Sequence, residues 1–142
     1  KLMKKKWIGT GGLVIVTLLV LYVIVNEIPM ELSMRFPMNA NVTEIRVMNG
    51  NTGQAVALDE DDWSQMIQEL GKIRISRKYI VEASTGWRYR VTISMADHAV
   101  DVILAGKILT INGKKYQCDK VQAVENVIAI CEGYFAADAN RK

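Results

Sequence analysis

Histidine occurs once in this sequence, and proline, cysteine and phenylalanine twice each. With His98 alone, a metal centre built on paired histidines is excluded, and a Ser-His-Asp or Cys-His arrangement would have to use one residue in a tight turn beside Asp97. No set of Cys, His and carboxylate residues has metal-ligand spacing, and no glycine-rich phosphate loop follows a strand, since Gly9, Gly11 and Gly12 fall inside an apolar run. Neither a metal nor another cofactor is therefore expected. The scarcity of cysteine also limits cross-linking. If one helix fills most of the interval between Cys118 and Cys131, their Cα atoms lie ~20 Å apart, whereas a disulfide needs less than about 7 Å, so two buried free thiols are expected. No Cys follows the apolar run to accept a lipid, and no A-x-A-like pair of small residues precedes Ala40 to direct signal cleavage.

An excess of one charge is also missing once the chain is divided. The whole sequence carries 18 Lys and Arg against 15 Asp and Glu, but the surplus is the N-terminal group Lys1, Lys4, Lys5 and Lys6. From Met30 onward the two signs balance. A nucleic-acid partner is excluded on that distribution, because phosphate binding needs a basic surface rather than a basic terminus.

What is present begins with Trp7 to Val25, a stretch with no charged residue, amide or His that is dominated by Leu, Val and Ile. As a helix it rises roughly 28 Å, close to the ~30 Å hydrocarbon thickness of a bilayer. Trp7, Leu13 and Val25 mark the membrane anchor, with the lipid bilayer as its partner. Lysines before the run, with Asn26, Glu27 and Glu31 after it, orient residues 1–6 as a cytoplasmic flank and everything beyond the span as extracellular. The expected localisation is the cell membrane, single-pass, with the N-terminus cytoplasmic.

Residues 26–41, rich in Met and polar residues and holding Pro29 and Pro37, read as a spacer. An extracytoplasmic domain follows over 42–134, and 135–142 as a flexible tail. In the domain, Ile45 and Val47 alternate with Glu44 and Arg46. A turn centred on Asn51-Thr52 pairs Val47 with Val56 and Ile45 with Leu58. Asp59 is the expected cap of a helix whose first turn is acidic and whose Trp63, Met66, Ile67 and Leu70 form one stripe, ended by Gly71.

Residues 72–118 read as an antiparallel meander. A turn at Asp97-His98 pairs Met95 with Val100 and Ile93 with Val102; one at Gly106-Lys107 pairs Leu104 with Leu109; and Asn112-Gly113 sets Leu109 opposite Tyr116. Upstream, Ile73, Ile75, Tyr79 and Val81 fit opposite Met95, Ile93, Tyr89 and Trp87, a register that places Arg77 among the core residues, so that either a bulge rotates it outward or its charge is held at the core's edge. A last helix starts after Asp119 with Val121, Val124, Ile128 and Cys131 on one side. The expected fold class is α+β: a single N-terminal transmembrane helix followed by a small two-layer domain, an antiparallel meander sheet with two helices on one face.

The sheet's other face is then basic and rich in hydroxyls, with Arg74, Lys78, Arg88, Arg90 and Lys115 among Ser76, Thr92, Ser94, Thr110 and Gln117, and Asp101 as its main acid. Guanidinium forks on rigid strands suit a protein or an anionic cell-wall partner. A solvated sheet face also carries long polar side chains for no such reason.

Ile45-Arg46-Val47-Met48-Asn49-Gly50 with Thr52-Gly53, then Gly86-Trp87-Arg88-Tyr89-Arg90-Val91 and Ile111-Asn112-Gly113-Lys114-Lys115-Tyr116, resemble small membrane-tethered extracytoplasmic domains of unknown function from low-GC Gram-positive bacteria. The resemblance covers about residues 43–118 and implies no catalytic residues. The helix-plus-four-strand unit is also similar in layout to the repeat of the β-lactamase inhibitor proteins. Together these lead to the expectation of a non-catalytic, membrane-anchored binding or assembly module of a bacterial cell envelope. The alternatives are an envelope hydrolase using His98 and an accessory subunit of a membrane complex.

Overall fold

In the computed structural model, the backbone is described for residues 2–38, 41–77 and 86–141, and side chains for the same residues apart from 2–8 and 26–27. The chain runs α1 (Leu2–Glu27), β1 (Met30–Glu31), α2 (Leu32–Arg35), β2 (Val42–Asn49), β3 (Ala55–Ala57), a 3-10 turn (Glu60–Asp62), α3 (Trp63–Gly71), β4 (Arg74–Ser76), β5 (Tyr89–Met95), β6 (Ala99–Ala105), β7 (Ile108–Ile111), β8 (Lys114–Cys118) and α4 (Val121–Arg141). The fold is α+β. All eight strands join one antiparallel sheet in the order β1-β4-β8-β7-β6-β5-β2-β3.

Three hairpins form as the alternation of apolar residues requires. Val47 faces Val56 across β2 and β3 and the Leu58 amide donates to the Ile45 carbonyl; Leu104 faces Leu109; and Leu109 faces Tyr116. The last turn has Asn112 at φ 50° and Gly113 at φ 82°, the left-handed pair that a two-residue hairpin needs and that Asn-Gly adopts most readily. Between β5 and β6 the register differs from expectation by two residues. Ile93 pairs with Val100 and Val91 with Val102, and the Met95 amide donates to the His98 carbonyl. The turn is thus Ala96-Asp97, and because the pleat repeats every two residues the core face is unchanged.

The position of β4 is the larger correction. It does not form a hairpin with β5; Ile75 pairs with Cys118 and Ser76 with Gln117 on β8, and β1 closes its other side. Residues 78–85, which include Lys78, Tyr79 and Val81, lie outside the described residues. Arg77 is exposed rather than in the core, its guanidinium carbon 5.8 Å from the centre of the Tyr116 ring. It follows the last residue of β4, so the ladder no longer dictates where it points.

One continuous core unites the inward residues of the strands with the helices. Ile45, Val47, Val91, Ile93, Val102, Leu104, Leu109 and Ile111 pack with Met66 and Leu70 of α3 and with Val124, Val127, Ile128 and Cys131 of α4. Asp59 has the extended backbone of a cap but makes no side-chain capping bond. The helix opens instead through the acidic 3-10 turn, which the positive helix end favours. Cys118 and Cys131 are both free and buried.

Residues 26–41, expected as a spacer, contribute to this core: Leu32 is fully buried, Met38 nearly so, and β1 pairs with β4. Gly71 allows that segment to approach, since a Cβ there would stand 3.0 Å from that of Ser33. The expected tail also departs from expectation, because α4 continues to Arg141 and Phe135 stacks on Tyr89 with ring centres 5.8 Å apart. Gly50, after β2, donates its amide to the Arg88 carbonyl at 2.8 Å and lies against the Trp87 backbone.

The first helix is different in kind. Every described side chain from 9 to 25 is exposed, Leu13 at 68% and Val23 at 44%, with apolar residues on all sides. Among the described residues no helix is long and apolar enough to cross a membrane; those of α1 with described side chains rise about 25 Å.

Candidate binding surface

Alternation sends every second strand residue away from the core, and the registers align these residues in rows across the sheet. Met48, Arg90, Ile103, Thr110 and Lys115 form one row from β2 to β8. Beside it run Arg46, Thr92 and Asp101, and on the opposite side Ala105, Ile108, Gln117 and Ser76. Ile108 and Ser76 are each 5% exposed, and Ile108 is outside the core cluster. This face is therefore not uniformly open.

Its charges are largely satisfied within the chain. Asp101 accepts hydrogen bonds at one oxygen from Arg90 Nε at 2.8 Å and from the Thr92 hydroxyl at 2.9 Å, and the Asn112 side-chain oxygen accepts from the Asp101 amide. The hydrogen bond to Asp101, with its charge, holds the Arg90 proton more tightly than usual. Arg46 pairs with Glu44 at 2.9 Å.

Arg88 belongs elsewhere than expected. Its guanidinium reaches α4, with Nη1 3.3 Å from Glu125 and Nη2 2.9 Å from Glu132. It occupies the bend before β5, where the pleat does not yet set side-chain direction. Arg74 donates from Nη2 to the Pro29 carbonyl at 3.1 Å. The Lys115 side chain is exposed and makes no hydrogen bond or ion pair among the described residues. The anticipated group thus resolves into Arg90 paired on the face, Arg88 paired on a helix, Arg74 near the end of α1, and Lys115 alone.

His98 is exposed, with Nδ1 2.6 Å from Asp97 Oδ1, and the bond from His98 holds the Asp97 carboxyl below its usual range. Burial pushes both thiols up, Cys131 to about 12, which disfavours the thiolate form.

A cleft of about 390 Å³ was not legible in the sequence. It lies between β3 and the C-terminal half of α4, where the Tyr134 hydroxyl donates to Asp62, and burial followed by that carboxylate raises the Tyr134 pKa. The signal available was the run of alanines and charged residues after Phe135, a composition that extends helices. No protein-family model, curated protein or solved structure matches the chain with significance.

Proposed function

We propose that this chain is a single-pass membrane anchor that displays a small α+β binding or assembly module at the outer surface of a bacterial cytoplasmic membrane. The observation that carries the reading is the contrast between α1 and the rest. From 9 to 25 the helix exposes apolar side chains all round, while the remainder assembles a core of its own. A helix apolar on every side needs lipid or protein around it. Trp7 and Ile8 lengthen the apolar run to roughly 28 Å, and a span needs about 17–25 residues. We further read the domain as two layers, the sheet and a single layer containing α3 and α4, supported by the shared core on one side of the strands.

In this reading the module works by contact rather than by catalysis. The row of Met48, Arg90, Ile103, Thr110 and Lys115 gives a rigid mixed surface on which Arg90 is already paired with Asp101. That favours a partner protein matched to a mixed surface over a polyanion, because an anion would have to displace Asp101 from Arg90.

Protease applied to sealed, right-side-out vesicles tests the topology. The domain should be cleaved without detergent, and alkaline carbonate should leave the anchored fragment in the pellet. Protection of the domain until the membrane is opened refutes the orientation, and release by carbonate refutes the span.

A further inference from the structure

Among the described residues, Arg46, Arg88 and Arg90 form ion pairs with carboxylates. Among the same residues Arg35, Arg74 and Arg77 have none, and Arg35 and Arg77 meet over one ring near the end of α1. Arg35 donates from Nη2 to the carbonyl of Val25, in the last turn of α1, where the helix dipole is negative. Arg74 donates to Pro29. The guanidinium carbons of Arg35 and Arg77 lie 5.4 Å and 5.8 Å from the centre of one ring, Tyr116. Glu31 stands opposite Arg74 in the ladder without forming an ion pair.

Two cations sharing one aromatic ring repel each other, and Arg35 Nη1 is buried with no hydrogen-bond acceptor among the described residues. Leaving an ionised donor unsatisfied is costly. Stacking on Tyr116 orients the guanidinium planes, and guanidinium N–H pairs match phosphate oxygens better than lysine does.

From these contacts we propose that Arg35 and Arg77 bind the phosphate of an anionic phospholipid headgroup at the outer membrane surface. The proposal rests on the anchoring reading, in which the last turn of α1 emerges at headgroup level. The headgroup neutralises the pair around Tyr116. It also holds the domain at a fixed attitude to the bilayer.

The test uses the full chain in mild nonionic detergent, titrated with phosphatidylglycerol, phosphatidylcholine or inorganic phosphate, with bound ligand counted by native mass spectrometry. Phosphatidylglycerol should bind at least tenfold more tightly than phosphatidylcholine. Each of Arg35→Gln and Arg77→Gln should weaken it roughly fivefold, and the double variant about 25-fold, as expected for cations at an anionic surface. Arg46→Gln should change nothing.

Equal binding of the two lipids, or a preference that survives in the double variant, overturns the proposal. Displacement of phosphatidylglycerol by millimolar phosphate assigns the site to a soluble anion and overturns it too. If the double variant loses its circular dichroism signal, the wild-type lipid comparison alone decides. Carbonate extraction of the wild-type protein separates the two failures: release sinks the anchor, while retention without lipid preference sinks only the headgroup site.

Discussion

Replacing Gly50 by Ala is the sharpest test of how β2 meets the entry to β5. A Cβ at this position would stand 2.2 Å from the Trp87 carbonyl oxygen, 2.8 Å from Trp87 Cε3 and 3.0 Å from the Trp87 carbonyl carbon. Ordinary contact begins at 3.4 Å, so the two strands would have to separate by about 1 Å at a point where the obstacle is backbone and cannot rotate away. Overpacking of this kind costs about 1–3 kcal/mol. The separation also stretches the bond from the Gly50 amide to the Arg88 carbonyl, which adds about 1 kcal/mol. A total of about 2–4 kcal/mol should move the urea midpoint down by about 1–2 M, using the denaturant sensitivity of a small domain.

Tryptophan fluorescence is a direct readout, since Trp87 forms the contact. Gly133→Ala is the matched control: it lies within α4, its Cβ would meet nothing within 4 Å, and it should stabilise by up to about 1 kcal/mol. A Gly50→Ala midpoint within the error of wild type would refute the close approach of these strands.

Leu32→Ala should cost about 2–5 kcal/mol in denaturant unfolding, because the side chain is fully buried; a spacer residue would cost nothing measurable. Asp101→Ala should cost about 1–2 kcal/mol by the same measurement, since Asp101 is largely shielded and accepts from both Arg90 and Thr92. Burial holds the Cys131 thiol neutral, from an ordinary value of 9.0 up to about 12. Its contribution to stability is therefore complete below pH 9 and lost as pH rises towards 12, because only the unfolded chain releases the proton in that window. Stability measured from pH 8 to 11 should fall, and Cys131→Ala should flatten the decline; an unchanged slope would discount this thiol. Iodoacetamide at pH 8 should leave Cys131 unmodified until denaturant is added.

Much of the sheet could be read from local alternation. The hairpins at Asn51-Thr52, Gly106-Lys107 and Asn112-Gly113 each depend on a short turn and on apolar residues meeting across it, and all three have the expected pairs. The β5–β6 turn moved by one position because Asp97-His98 carries no left-handed signal as strong as Asn-Gly. The neighbours of β4 were not legible, since its partner β8 is distant in sequence and no hairpin rule applies. Leu32 and Met38 sit among polar residues without a period, so only tertiary packing reveals their burial. For the candidate surface, residue types and pleat direction were sufficient for Arg90, Thr110 and Lys115, whereas the pairing of Arg88 with Glu125 and Glu132 required the path of α4.

The placement of β1 and β4 at one end of the sheet imposes an order on biogenesis. Both strands leave the ribosome before β5, yet they join the rest of the sheet only through β8, residues 114–118. A nascent chain that has emerged only as far as β7 therefore holds a hairpin-rich fragment in which β1 and β4 still wait for a template. Chains truncated before Tyr116 should be degraded far faster than those ending after α3 and α4 have closed over them, and the seam beside α1 is the last part of the molecule to seal.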